Sequence, residues 1–292
     1  MKRCFLIFLL LTAIPAGAQS VLPLVRFQVE TEAGMVVAQT CAEVWEKEGP
    51  RILAELNPAG TALDTITCLV LNTESFQRNF AGRLPDWGVG VAIPGGRHIA
   101  LDYARLPAVG RGVREVFLHE MVHALLFQVA GQTWLPTWFH EGCAMYYSGE
   151  WRFYDTVSLV LDGQVPSLDH LQGRFPTPVG LADRAYRTSL LAINRLRDQH
   201  GDDVVGELLM ASRQTGAFAL AFKEVTSTGL GDFTEDFAST MNLRLGWAIM
   251  LTRWPTLFVL MALVFAVGAA RKMINTRRRL ADMEDDEGDI SA

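Results

Sequence analysis

The sequence predicts an α+β fold: a small mixed sheet, then a mostly helical half, then a C-terminal transmembrane helix. Period-two patterns of β-branched and aromatic residues are confined to the first hundred or so positions. Helical periodicity dominates from residue 112 to residue 245, and an uncharged apolar run follows it. Strands followed by helices, rather than alternating with them, are typical of the α+β class.

The strand patterns come first. Residues 24–31 and 65–72 each read as a strand. Between them, residues 35–56 have helical spacing and form one helix or two short ones, because Gly49-Pro50 interrupts the pattern. The segment 88–102, GVGVAIPGGRHIALD, predicts two short strands around a Pro-Gly-Gly turn.

The second half is predicted to be helical. Gly131 is a plausible stop for the first of these helices, and Thr137 a plausible cap for the next. A loop-rich insert at 162–180 separates the second helix from the third, and loops of that length are often functional. The predicted helices span 112–130, 137–147, 183–200, 203–214, 217–226 and 232–245.

The N-terminus has the pattern of a secretory signal peptide over residues 1–18. Lys2 and Arg3 precede a short apolar run, and a small-residue A-x-A site ends at Ala18. The alternative is an uncleaved anchor, but the run is too short to span a bilayer comfortably. We therefore expect residues 19–250 to form an exported domain.

The uncharged run 254–270 predicts a transmembrane helix near the lower length limit of about 17–25 residues. Five cations follow it, which places the acidic tail 271–292 in the cytoplasm by the positive-inside rule. A buried soluble helix is the alternative. The expected location is the cell membrane, the bacterial inner membrane, with the catalytic domain outside the cytoplasm.

Charge and cysteine content narrow the function classes. The net charge of −6 and the lack of a basic groove pattern exclude nucleic acid as an expected partner. Cys41, Cys68 and Cys143 remain after signal removal, so one disulfide at most can form. In an oxidising compartment Cys41 with Cys68 is the plausible pair, and buried free thiols are the alternative.

The motif HEMVH at 119–123 lies in a strongly apolar helical run. His119 and His123 are four apart, so their rings project from one helix face and both can ligate one Zn²⁺. Glu120 lies about 100° around the helix and can stand beside the metal without ligating it. The alternative is a pair of ordinary core histidines.

A third ligand is available eighteen residues beyond His123. Leu126 and Val129 occupy the positions where a metzincin needs glycine and histidine, which excludes that class. Glu141, early on the next predicted helix, completes a His₂Glu site with one position left for water. His140 is the rival ligand, although it points to another face than Glu141.

HEMVH followed by PTWFHEGCAMYY resembles the gluzincins, the thermolysin-like or peptidase MA-like families, over residues 25–247. The resemblance implies a zincin-like domain in which the 88–102 ribbon borders the cleft and a peptide can add as an extra strand. It also implies that Tyr186 stabilises the oxyanion, although packing is the ordinary role of such a tyrosine.

The chain departs from thermolysin at one position. Met145 replaces an aspartate that orients a ligand histidine, so the outer partner of the histidines is open, with Glu115 one candidate. Cys143 is a soft rival ligand, but its place in the E-G-x-A segment indicates packing.

The sequence therefore predicts a membrane-anchored zinc metallopeptidase that acts on a peptide or protein substrate. Glu120 would be the general base, Tyr186 the oxyanion donor, and His119, His123 and Glu141 the zinc ligands. The alternative is a non-catalytic zinc-binding scaffold of the cell envelope.

Overall fold

The structure is a computed structural model, and it describes residues 6–8, 23–82, 84–85, 88–150, 166–252, 258–259, 261–274 and 276. The strands are β1 (Leu6–Phe8), β2 (Val25–Val29), β3 (Ile66–Leu71), β4 (Gly90–Ala92) and β5 (His98–Asp102). The helices are α1 (Glu32–Leu56), α2 (Thr73–Phe80), α3 (Val113–Ala130), α4 (Thr137–Ser148), α5 (Val179–His200), α6 (Val204–Thr215), α7 (Phe218–Thr226) and α8 (Leu230–Thr252), with a 3₁₀ turn at Leu168–Leu171.

The five strands form one mixed sheet in the order β1-β2-β3-β5-β4. β2, β3 and β5 are parallel to one another, whereas β1 and β4 pair antiparallel at the two edges. The predicted small mixed sheet followed by a mostly helical half is therefore confirmed. β4 is an edge strand, and it packs against α3, the helix that carries the HEMVH motif.

The two faces of the sheet bury different partners. Ile99 and Leu101 of β5 belong to the large core that the sheet forms with α1 and α3. Ala100, which points to the other face as strand alternation requires, packs with Phe76 and Phe80 of α2. Since both faces are covered, the sheet is a rigid support for α3.

Most predicted elements are present with small changes in their bounds. α1 continues through Pro50 as one helix. The N-cap of α4 is Pro136, and Thr137 is already helical, so the predicted threonine cap is wrong. α2 was not predicted, and its N-cap Asn72, which accepts from the Ser75 N–H, is the signal that marks its start.

The predicted transmembrane helix at 254–270 is wrong. Within the described part of the chain, no helix combines the length and the apolar character needed to cross a bilayer. Residues 254–257 and 260 lie outside the described residues. The cytoplasmic placement of the tail stays a prediction.

The predicted signal peptide stays a prediction, because residues 1–5 and 9–22 lie outside the described residues. In the full chain, Leu6–Phe8 pair antiparallel with β2, in register with Phe27–Val29.

The expected pairing of Cys41 with Cys68 is wrong, and the alternative holds. Both are buried free thiols, as is Cys143. Burial raises the pKa of Cys41 to about 12 and that of Cys68 well above its usual range, so neither is a reactive thiolate at neutral pH.

Candidate metal centre

Helix α3 places His119, Glu120 and His123 of the HEMVH motif along a cleft of about 450 Å³. Val116, His119, Glu120, His123 and Phe127 line this cleft. Steps of three or four residues connect each of them to another member, so together they form one broad face of the helix. His119 is 9% exposed and Glu120 is 7% exposed. Polar groups this deeply buried need partners to offset the cost of desolvation.

Glu141, near the start of α4, faces both histidines. Its Oε2 lies 3.3 Å from His119 Nε2 and 3.3 Å from His123 Nε2. The three ligand atoms lie within 4.8 Å of one another, and Glu141 Oε2 makes no well-directed hydrogen bond among the described residues. Nitrogen and oxygen atoms that converge on one point without a directed hydrogen bond are arranged as metal ligands are. The His119, His123 and Glu141 group can therefore hold a metal ion.

A close contact between α4 and α5 positions Glu141 relative to Tyr186. A Cβ on Gly142 would collide with the backbone oxygen of Ser189, so only glycine allows the two helices to approach this closely. Tyr186, one turn before Ser189, consequently lines the same cleft as Glu141. The glycine of the E-G-x-A segment thus has a packing role.

The sequence did not reveal the outer partner of His119, which is Glu150. Glu150 Oε1 lies 3.1 Å from His119 Nδ1, and neither atom makes a hydrogen bond elsewhere among the described residues. Glu150 Oε2 accepts from Arg111 Nη1 at 2.7 Å. A carboxylate at Nδ1 keeps the proton on that nitrogen and leaves Nε2 as a lone-pair donor for a metal.

Two local features bring Glu150 to His119. Gly149 ends α4 in the left-handed conformation (φ 71°) and reverses the chain. Arg114 of α3 donates to the Ser148 oxygen at 2.9 Å and pairs with Glu48 of α1. Glu115, the candidate from sequence, is not this partner, because its carboxylate accepts from the Gly112 N–H at the start of α3.

We expect Glu150→Gln to weaken metal binding about tenfold or more, since outer carboxylates of ligand histidines typically contribute 10–100-fold. Competition against a zinc chelator measures this affinity without any assay of activity. Glu74→Gln is the matched control, because Glu74 also pairs with an arginine, Arg78 at 2.7 Å, but lies on α2 outside the cleft lining. Equal metal affinities for the two variants would show that Glu150 does not support the site.

The side chain of Glu120 projects from α3 towards the edge strand β4. A Cβ on Gly90 of β4 would come within 2.5 Å of Glu120 Oε1 and 2.8 Å of Val116 Cγ1. A side chain at position 90 would therefore displace the Glu120 carboxylate. Glycine in this strand leaves room for the carboxylate beside the histidines.

Burial raises the pKa of Glu120 above its usual range, although His119 and His123 oppose the shift. Burial would also raise the pKa of Glu141, but His123 and His119 hold it well below its usual range. Burial, with help from Glu141 and Glu120, raises the pKa of Tyr186 well above its usual range. Tyr186 therefore stays protonated and can donate a hydrogen bond, while Glu141 stays ionised.

His140 and Cys143, the two rival ligands, are outside the ligand group. The His140 ring packs 4.8 Å from the Phe127 ring and 5.6 Å from that of His123, measured between centroids. Burial, reinforced by His123, lowers the pKa of His140 to about 3, so the imidazole is neutral. Cys143 is fully buried in the main core.

The chain resembles known proteins over only part of its length. No protein-family model matches the chain. Over 105 residues it is 28% identical to the uncharacterized protein YhcO of Bacillus subtilis (strain 168). The match covers 35% of this chain and 31% of that protein, so it spans about a third of each. Neither result assigns an activity.

Proposed function

We propose that the protein is a zinc metallopeptidase that hydrolyses peptide bonds by general-base catalysis. The observation that carries the proposal is the convergence of His119, His123 and Glu141 at one point, with Glu120 beside them in the same cleft. The gluzincin resemblance supports the same assignment, because its two motifs, HEMVH and PTWFHEGCAMYY, contain these four residues.

The donor set favours zinc as the metal. Two imidazole nitrogens and one carboxylate oxygen are the ligands of catalytic zinc in the thermolysin class, and the fourth position stays open. Zinc held by His119, His123 and Glu141 would lower the pKa of a water to about 7 and would polarise a carbonyl oxygen. In the proposed reaction Glu120 accepts a proton from the attacking water and returns it to the leaving amine, and Tyr186 donates to the developing oxyanion.

The edge strand β4 supports a peptide as the substrate. Its residues Gly90, Val91 and Ala92 line the cleft, and β5 pairs with only one of its two edges. An extended peptide can hydrogen-bond to the other edge as an added strand, which would place its backbone alongside Glu120.

The alternative is a zinc-binding scaffold that cleaves nothing. A scaffold has no need of a buried carboxylate that is not a ligand, yet Gly90 leaves room for Glu120 at the site. Burying an extra carboxylate costs stability. A catalytic role gives a reason for that cost.

The direct test is to incubate the purified protein with a peptide library before and after chelation. We expect cleavage that a chelator abolishes and that one equivalent of Zn²⁺ restores, with one Zn²⁺ bound per chain by elemental analysis. Hydrolysis that survives complete metal removal, or a zinc-loaded protein that cleaves no peptide, would refute the proposal.

A further inference from the structure

The turn that joins β4 to β5 packs directly on α3, the helix that carries the HEMVH motif. Gly96 of this turn has a φ of 70°, a conformation that favours glycine. A Cβ at this position would also collide with the carbonyl oxygen of Ala124 on α3. Only glycine therefore lets the turn approach the helix this closely. Since Ala124 directly follows His123, the turn contacts the helix beside one of the possible metal ligands.

The side-chain amide of Gln128, one helical turn beyond Ala124, ties the turn to α3. Its Nε2 donates to the Gly96 oxygen at 2.7 Å and to the Asp64 oxygen at 3.3 Å, and its Oε1 accepts from the Asp64 N–H at 2.7 Å. Asp64 belongs to the loop that leads into β3. An amide supplies a donor and an acceptor at once, so this one side chain joins α3 to two other segments.

Two arginines act at the same junction. Arg97, next to Gly96, pairs with the Asp64 carboxylate at 2.7 Å, but both side chains are more than half exposed and such pairs contribute little. Arg213 of α6 donates to the backbone oxygen of Gln128 at 3.0 Å, which anchors the end of α3. Because Gln128 is only partly exposed, its side-chain hydrogen bonds compete less with water, and we attribute most of the polar stabilisation of the junction to them.

The junction sets where β4 lies relative to the possible metal ligands. The Ile93 N–H donates to the His98 oxygen at 2.9 Å, and the pairing of β4 with β5 continues from there, so the strands and the turn form one hairpin. Gly90 lies close against Glu120 near the start of this hairpin, and Gln128 holds its tip. With both points held, β4 keeps its free edge along the cleft.

We propose that Gln128 is a positioning residue that holds the β4–β5 hairpin against α3, so that an extended peptide pairs with β4 in one alignment relative to the metal ligands. The inference rests on the proposed peptidase function. Gln128 is not among the described residues that line the cleft, so it acts through the hairpin and not by touching substrate. A hairpin that is already in place loses little conformational freedom when a strand is added, whereas a loosened hairpin would have to be ordered by the peptide.

Gln128→Glu is the sharpest variant, because it keeps the shape and the acceptor for the Asp64 N–H but loses the donor to the Gly96 oxygen. We expect KM for a long peptide that reaches along β4 to rise about three- to tenfold, the range for one lost hydrogen bond, with kcat and zinc content unchanged. A short blocked substrate that spans only the scissile bond should show no change in KM. Gln128→Met, which removes every hydrogen bond of the amide, should raise KM for the long peptide at least as much.

Gln77→Glu is the matched control, since it makes the same change at an exposed position of α2 outside the cleft lining. It should leave the kinetics of both substrates unaffected. A purely structural role for Gln128 would instead lower the folded fraction, and with it the kcat of long and short substrates alike. That result would overturn the positioning role.

Two measurements that need no catalysis separate failure of this inference from failure of the peptidase assignment. Hydrogen exchange of the backbone amides of residues 90–102 should be faster in Gln128→Glu than in wild type. Zinc-loaded Glu120→Gln protein should bind the long peptide about three- to tenfold more tightly than the same protein with Gln128→Glu added. If wild-type protein cleaves nothing but both differences are present, the peptidase function is wrong and the positioning role stands. Unchanged exchange, or unchanged binding of the long peptide, overturns the positioning role.

Discussion

Glu120→Gln should reduce peptide hydrolysis about 10²–10⁴-fold, the usual contribution of a positioned general base, while the protein keeps its zinc. Glu120 is not in the ligand group, and an amide conserves the shape that fits beside Gly90. The protein should also fold, because a buried amide costs no more than a buried carboxylate. Steady-state kinetics and elemental analysis of the same preparation measure the two properties together.

Glu115→Gln is the matched control for this variant, because it makes the same change on the same helix at a residue that the cleft lining does not include. It should keep full activity. Complementation of a deletion strain then separates the enzyme from the scaffold. If Glu120→Gln fully restores the cellular role, the main role is non-catalytic.

The double variant His119→Ala with His123→Ala should lose the bound metal and all activity, because two of the three ligands are removed. Wild-type protein should be stabilised by added zinc, by about 4 kcal/mol at a free concentration 1,000 times the dissociation constant. The double variant should show no such stabilisation. Elemental analysis and thermal unfolding with and without zinc measure both effects.

His140→Ala tests the rival ligand in the same assays. His140 adjoins Glu141 but lies outside the ligand group, so its variant should retain one zinc and most of the zinc-dependent stabilisation. Unchanged zinc content in the double variant would overturn the site, and zinc loss in His140→Ala would mean that the ligand set is misassigned.

The four residues at the heart of the site were predicted from sequence because helix geometry is local. A spacing of four places His119 and His123 on one face wherever the helix packs, and the apolar run around them indicated a buried helix. The small mixed sheet and the order of strands and helices were predictable for a similar reason, since period two and period 3.6 are read from neighbouring residues.

The hydropathy of residues 254–270 predicted the structure less well than the helical spacing of the HEMVH motif did. An uncharged run predicts a spanning helix only if it folds as one helix of sufficient length and apolar character, and no helix among the described residues meets both conditions. The sequence also could not show that Cys41 and Cys68 are free thiols. The number of cysteines limits how many disulfides can form, but it does not show whether any forms.

What only the tertiary structure decided is how separate elements meet. Glu150 contacts His119 because Gly149 reverses the chain and Arg114 anchors the end of α4. No spacing in the sequence predicts this contact. Sequence spacing also does not reveal that Gly90 lies beside Glu120 or that Trp134 lines the cleft. The sequence by itself predicted the group of possible metal ligands and the proposed base, since they depend on one helical repeat and one nearby helix. The outer carboxylate and the shape of the cleft were decided by packing between elements distant in the chain, which local periodicity does not encode.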